Sequence, residues 1–207
     1  MTRGRYDRSQ STIERRAHQR AALLDAATPV FAKRGFARTS VEAIVSAAGM
    51  SRRTFYGHFR DVRDIIHQVH ERAAGLAFEF VSEQVRSHDD PVDRVRAGIQ
   101  AFLTAVAANG PLARVVFREI RAAGPEYEAL RERETQRYAD LLLNALREAH
   151  RRGQIPNPPD ETTTYAITTG VEGIAMRYVA RRQEHRALEA APALVGLALR
   201  AFGANHH

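Results

Sequence analysis

Two hundred and seven residues, 44% hydrophobic and 27% charged, are enough for a small head and a larger body and exclude a chain disordered by composition. The absence of cysteine rules out disulfide scaffolds, zinc-thiolate sites, iron–sulfur clusters and a cysteine nucleophile. The net charge of +7 lies wholly in the first third: residues 1–60 hold 12 basic and 4 acidic side chains, residues 61–207 hold 19 and 20. A basic head on a near-neutral body is the electrostatic footprint of nucleic-acid binding, although a solvated basic surface has the same composition.

In chain order, residues 1–12 read as a flexible basic arm carrying Arg3, Arg5 and Arg8. Such an arm either enters a minor groove or remains a tail. The many arginines of the first twenty residues interrupt any apolar run, so neither a secretory signal nor a membrane span is expected, and a cytoplasmic protein is. Leu23, Leu24, Ala27, Val30 and Phe31 share one face of a first helix that ends at Gly35. Pro29 should bend that helix without breaking it. Val41, Ile44, Val45 and Ala48 mark a short second helix, which Thr39 caps in a capping box with Glu42. Gly49 suits a left-handed turn, Ser51 caps a third helix, and Phe55 and Phe59 turn inward. Beyond Asp61, a long helix to about Ser87 carries a stripe through Ile65, Val69, Leu76 and Phe80. Pro91 starts the next, which Asn109-Gly110-Pro111 ends. A shorter helix spans Leu112 to about Arg121, and a charged one runs from Pro125 to about Arg152, burying Leu130, Tyr138, Leu142, Ala145 and Leu146. After a Pro-rich connection come two last helices at about 160–183 and 187–203.

The expected fold is all-α: a three-helix head over residues 13–60 and a helical-bundle body over 61–207, about nine helices in total. Helix, glycine turn and helix over residues 36–59 form a helix-turn-helix, whose second member lies in the DNA major groove with its N-terminal residues at base edges. Those residues are Arg52 and Arg53, and arginine reads guanine through two hydrogen bonds.

This stretch resembles the DNA-binding domain of the TetR family of bacterial transcriptional repressors, through Gly35-Phe36, Thr39-Ser40-Val41, Ile44, Ala48-Gly49, Ser51, Thr54-Phe55-Tyr56 and His58-Phe59. The resemblance covers roughly residues 20–66. It implies that Arg52, Arg53, Thr54 and Gly57 face the groove and that Thr39, Ser40, Tyr56 and His58 touch phosphates. The alternative for Tyr56 and His58 is packing between the third and fourth helices. Where the family often has a phosphate-binding lysine, this chain has Val62, with Arg60 and Arg63 beside it as substitutes.

The last two helices carry Ile167, Gly170, Gly173, Ile174, Leu194, Leu197, Ala198 and Ala201, small and apolar residues that suit close helix contact. They either close the monomer core or, as the resemblance implies, form a homodimer interface through a four-helix bundle. The resemblance also implies a pocket for a small hydrophobic effector among the middle helices. Candidate walls are Phe78, Phe102, Phe117, Tyr127, Tyr138, Leu142, Asn144, Thr169 and Glu172. Enzyme motifs are absent: no nucleophile elbow, Walker loop, dinucleotide fingerprint or zinc-protease helix occurs. His67, His70 and Glu71 share a helix face but have no second Glu-x-x-His pair, so neither a metal nor a cofactor is expected. The function expected is therefore a DNA-binding transcriptional regulator, a repressor that binds a palindromic DNA site as a homodimer and that a small molecule releases. The alternative is a constitutive, architectural or activating DNA-binding protein of the same fold.

Overall fold

The computed structural model describes residues 3–204 except Pro125, with side chains from Ser11 onward. Among these residues the chain forms nine α-helices and no strand. They are α1 (Arg3–Arg34), α2 (Val41–Ala48), α3 (Arg52–Tyr56), α4 (Val62–Arg86), α5 (Pro91–Ala108), α6 (Gly110–Phe117), α7 (Glu126–Arg151), α8 (Glu161–Ala180) and α9 (Ala191–Arg200). Short 3-10 turns at Phe36–Arg38, Glu119–Ala122 and Glu184–Ala190 join some of them.

The backbone of residues 3–12, expected as a flexible arm, continues α1 instead. No proline interrupts this stretch, and extending a nucleated helix adds one hydrogen bond per residue. The side chains of Arg3, Arg5 and Arg8 lie outside the described residues. Through Pro29 the helix runs unbroken, and beside it Thr28 Oγ1 donates to the Leu24 carbonyl at 3.1 Å.

Local signals set most of the helix ends. Ser40, not Thr39, caps α2: its hydroxyl accepts the Ala43 N–H, while Thr39 Oγ1 turns back to the Gly35 carbonyl at 2.8 Å. With two adjacent hydroxyls either could cap, and the Thr39 hydroxyl is engaged by the preceding turn. Gly49 adopts the left-handed φ of 64° that the tight turn needs, and Ser51 caps α3 by accepting the Thr54 N–H. Two expected helices are shorter than their patterns. α6 ends at Phe117 and passes into a 3-10 turn, and the last apolar segment begins as 3-10 before α9 starts.

Two cores organise the molecule. One centres on Leu23, Phe31, Ile44, Phe55, Phe59, Ile65 and Ile66. It also takes in Val115, Ile120, Ala123 and Tyr127, so the head is packed against α6, the turn after it and the start of α7. The other gathers Ile99, Leu103, Leu146, Ile167, Ala175 and Ala198 from α5, α7, α8 and α9. Helix α4 leads from the first core to a small third cluster, Val81 and Val85 with Ala101 of α5, and here the expected stripe fails. Leu76 and Phe80 are 57% and 38% exposed, and Ala73, Val81 and Val85 are buried in their place. Burial follows steps of four residues, which wind about 40° round a helix at each step. The buried face therefore turns as α4 leaves the head core and meets α5.

Candidate nucleic-acid interface and internal cavity

Helix α3 has five residues, too few to persist without tertiary support. Phe55 and Phe59, fully or almost fully buried, pin it to the head core with ring centroids 5.5 Å apart. This anchoring turns the opposite face, Arg52, Arg53 and Tyr56, to solvent. Arg52 is engaged on both sides: its guanidinium meets Glu42 at 2.6 Å and lies over the Tyr56 ring at 5.9 Å. The Arg53 side chain makes no hydrogen bond or ion pair among the described residues, which leaves the five N–H donors of its guanidinium available. The Thr54 hydroxyl is shared with Ser51 at 2.9 Å. Gly57 has an ordinary right-handed φ of −73°, yet an added Cβ would lie 3.3 Å from the Thr54 carbonyl. The backbone angle does not require glycine there.

The expected phosphate-side residues divide. Ser40 is exposed at the N-terminus of α2, and Tyr56 is 51% exposed, edge-on to Phe55. Thr39 and His58 are half-buried. His58 Nε2 lies 3.4 Å from Gln19 Oε1 of α1, and burial, helped by Arg16 and Arg20, lowers its pKa from 6.5. Its role in packing against α1 is thus visible in the structure.

Sequence reasoning missed Arg16 and Arg20. Arg16 Nη2 donates to the Gly57 carbonyl at 3.1 Å. Arg20 lies over the Phe59 ring and donates to Gln68. Spaced i, i+4, they put two positive charges of α1 against the end of α3, and that spacing was the available signal. Of the two substitutes for the missing lysine, Arg63 places its guanidinium beside Gly124 of the body, whereas Arg60 is exposed at the head of α4. Val62 packs against the head core.

Within the body, two small adjoining cavities of about 50 and 80 Å³ lie among α4, α5, α6, α7 and α8. Phe102, Tyr138 and Glu172 line both; Leu142 lines one and Phe117 the other. Phe78 touches the Tyr138 ring from behind. Three expected wall residues are elsewhere. Asn144 and Thr169 are exposed, because each lies on the outer face of its helix. Tyr127 is buried in the head core, edge-on to His70.

His70, 2% exposed on α4, faces Glu134 of α7 with Nε2 at 3.6 Å from the carboxyl, and its Nδ1 has no partner. Burial, with a smaller push from His67, lowers the imidazole from 6.5 to about 4. Burial and then Glu172 raise Glu134 from 4.5 to about 7. Between about 4.5 and 6.5 the unfolded chain carries a proton on His70 and the folded chain one on Glu134, so the proton counts match and the pair gives no slope. In Glu134→Gln the depressed imidazole stands alone: unfolding then takes up a proton, and stability falls as pH drops from 6.5 towards 4. Urea denaturation at pH 7 and pH 5 should show the variant losing more stability than the wild type; parallel losses would contradict the pairing.

The apolar surface of the last two helices is also divided. Ile167, Leu194 and Ala198 are buried in the monomer core. Gly170, Gly173, Leu197 and Ala201 are exposed, with Leu188 and Leu197 at 44% and 47%, and Ile174 is half-buried.

A family model described as bacterial regulatory proteins, tetR family, matches residues 23–69, and one described as tetracyclin repressor-like, C-terminal domain, matches residues 88–181. Together they cover about two thirds of the chain. The chain is 26% identical to the HTH-type transcriptional activator FasR of Mycolicibacterium smegmatis over 145 residues, 68% of this chain and 66% of that one. It is 28% identical to the HTH-type transcriptional repressor BepR of Brucella suis over 165 residues, 76% of this chain and 78% of that one. Among solved structures, the transcriptional regulator FadR of Bacillus subtilis in complex with stearoyl-CoA superposes with a TM-score of 0.77 at 20% identity, over 90% of this chain and 99% of that one.

Proposed function

The chain belongs to the TetR family of bacterial regulatory proteins, a DNA-binding transcriptional regulator and not an enzyme, and from that premise we propose that it is a homodimeric repressor released from a palindromic operator by a small hydrophobic effector. One observation carries this reading: α4 serves both sites. Its first turns supply Ile65, Ile66 and Val69 to the core that holds α3, and its last turns supply Val81 and Val85 to the cavity wall. A ligand that fits only with α4 displaced would move the head.

A second link runs through the turn after α6. Glu119 Oε2 accepts the Phe36 N–H at 2.9 Å, tying the body to the segment that leads into α2. An effector lowers DNA affinity only in so far as it binds the DNA-incompetent state more tightly. Shifting α4 in two subunits would spoil the one-turn spacing of ~34–36 Å between recognition helices. Arg53 and Arg52 would face the groove with Thr54 and Gly57, and Ser40, Tyr56, Thr39 and His58 would sit on the phosphate side with Arg60. In this reading the protein works in the cytoplasm, on the nucleoid. The activator FasR among the relatives favours a second reading, in which the operator's position makes the same contacts activating.

The dimer surface in this reading is the exposed strip of Gly170, Gly173, Leu197 and Ala201, where a Cβ added at either glycine meets open space. Sedimentation tests it directly. The wild type is expected at twice 23.1 kDa and Leu197→Glu at 23.1 kDa. A wild-type monomer that fills its operator one copy at a time would contradict the proposal.

A further inference from the structure

The cavity walls carry a charge pattern that says what an occupant should look like. In the chamber beside α6, the charged lining groups are two carboxylates, Glu134 and Glu172, and no lysine or arginine lines it. The rest of the lining is apolar or aromatic, apart from Asn109 and Tyr138.

The two carboxylates are not equivalent. Glu172 is already served: Thr135 Oγ1 donates to it at 3.1 Å and Arg131 approaches to 3.7 Å. Glu134 has no arginine in ion-pair range among the described residues; its partner is His70, whose imidazole burial keeps neutral. Arg133 and Arg137 lie near it on its own helix and draw its pKa down, against the stronger effects of burial and of Glu172, with Glu71 adding to the rise. Arg137 itself is occupied on the Phe78 ring, 3.8 Å from the centroid. A carboxyl whose one close partner is a neutral imidazole, in an apolar, aromatic-walled chamber, is costly when ionised unless something cationic meets it. Aromatic faces are also good neighbours for a cation.

Resting on the effector reading above, we propose that the cavity selects a lipophilic amine, whose ammonium group pairs with Glu134 and whose apolar part lies along Phe102, Phe117 and Tyr138. Burial makes Glu134 reluctant to ionise alone, and an incoming ammonium group would reverse that. An anionic ligand would meet two carboxylates there and be disfavoured.

A matched series of ligands tests this. 4-Phenylbutylamine, 4-phenylbutanol and 4-phenylbutyrate share one skeleton and differ in charge. They are titrated calorimetrically into the full chain at pH 8, where amine and acid are both ionised. The amine is expected to bind about tenfold or more tightly than the alcohol, and the carboxylate most weakly. Glu134→Gln should remove that advantage and leave alcohol affinity within about twofold. Equal affinities, tightest binding of the carboxylate, or an amine advantage that survives Glu134→Gln would each overturn the proposal. DNA release in parallel separates the two failures. If the alcohol or acid binds and frees DNA while the amine has no advantage, the amine assignment falls and the effector reading stands. If none of the three binds at millimolar concentration, both fall.

Discussion

Phe55→Ala is expected to abolish operator binding and to destabilise the head by about 3–5 kcal/mol. Phe55 is fully buried, and α3 is too short to hold itself. Its ring is the main anchor between recognition helix and core, packed on Phe59 and Tyr56. Deleting it opens a cavity where the helix should dock, so the arginines lose their common direction even if they stay solvent-exposed. The body core around Leu103 and Leu146 does not include this residue. Circular dichroism should thus show most of the helical signal retained at low temperature, with a lowered first transition on heating. Wild-type affinity in this variant would mean that α3 is positioned by something other than its aromatic anchor.

Arg53→Ala is expected to cost about 1–3 kcal/mol of operator affinity, roughly 5–150-fold, and to relax sequence preference at one position of each half-site. Arg53 is chosen over its neighbour because its guanidinium is uncommitted, whereas Arg52 is held between Glu42 and Tyr56. Arg52→Ala should therefore cost less, because reaching a base requires Arg52 to leave its carboxylate. Both charges are exposed, so the intramolecular pair contributes little to stability. Competition binding against duplexes with single base changes separates the roles. An equal loss on every duplex, with preference intact, would make Arg53 a phosphate contact.

Both residues were legible in the sequence because the signals around them are local. Ser51 caps, Gly49 turns and Phe55 and Phe59 face inward within a dozen residues, and short-range geometry leaves few alternatives. Pro91 and Asn109-Gly110-Pro111 fixed the ends of α5 in the same way. Where the sequence reading failed, the deciding contact was distant. Leu76 and Phe80 look like core on α4, yet the helix serves two cores on different sides and its buried face winds between them. Asn144 and Thr169 sit on correctly assigned helices but on their outer faces, since the rotation of α7 and α8 is set by what packs on them. The meeting of His70 with Glu134, and of Glu119 with the Phe36 N–H, joins segments far apart in the chain, and no spacing rule announces either. Three of the eight expected dimer residues, Ile167, Leu194 and Ala198, are buried in the monomer core, because apolar character alone does not separate the two sides of a helix buried on one face and exposed on the other.

In the function proposed here the head reads DNA sequence, in pairs. Footprinting the purified protein on its own upstream DNA, against a scrambled duplex near physiological salt, tests it most directly. Protection of a short inverted repeat is expected, with two or more subunits on each site, and none on the scrambled duplex. Equal and strongly salt-dependent binding to both duplexes would contradict it, leaving only attraction between the basic head and phosphate.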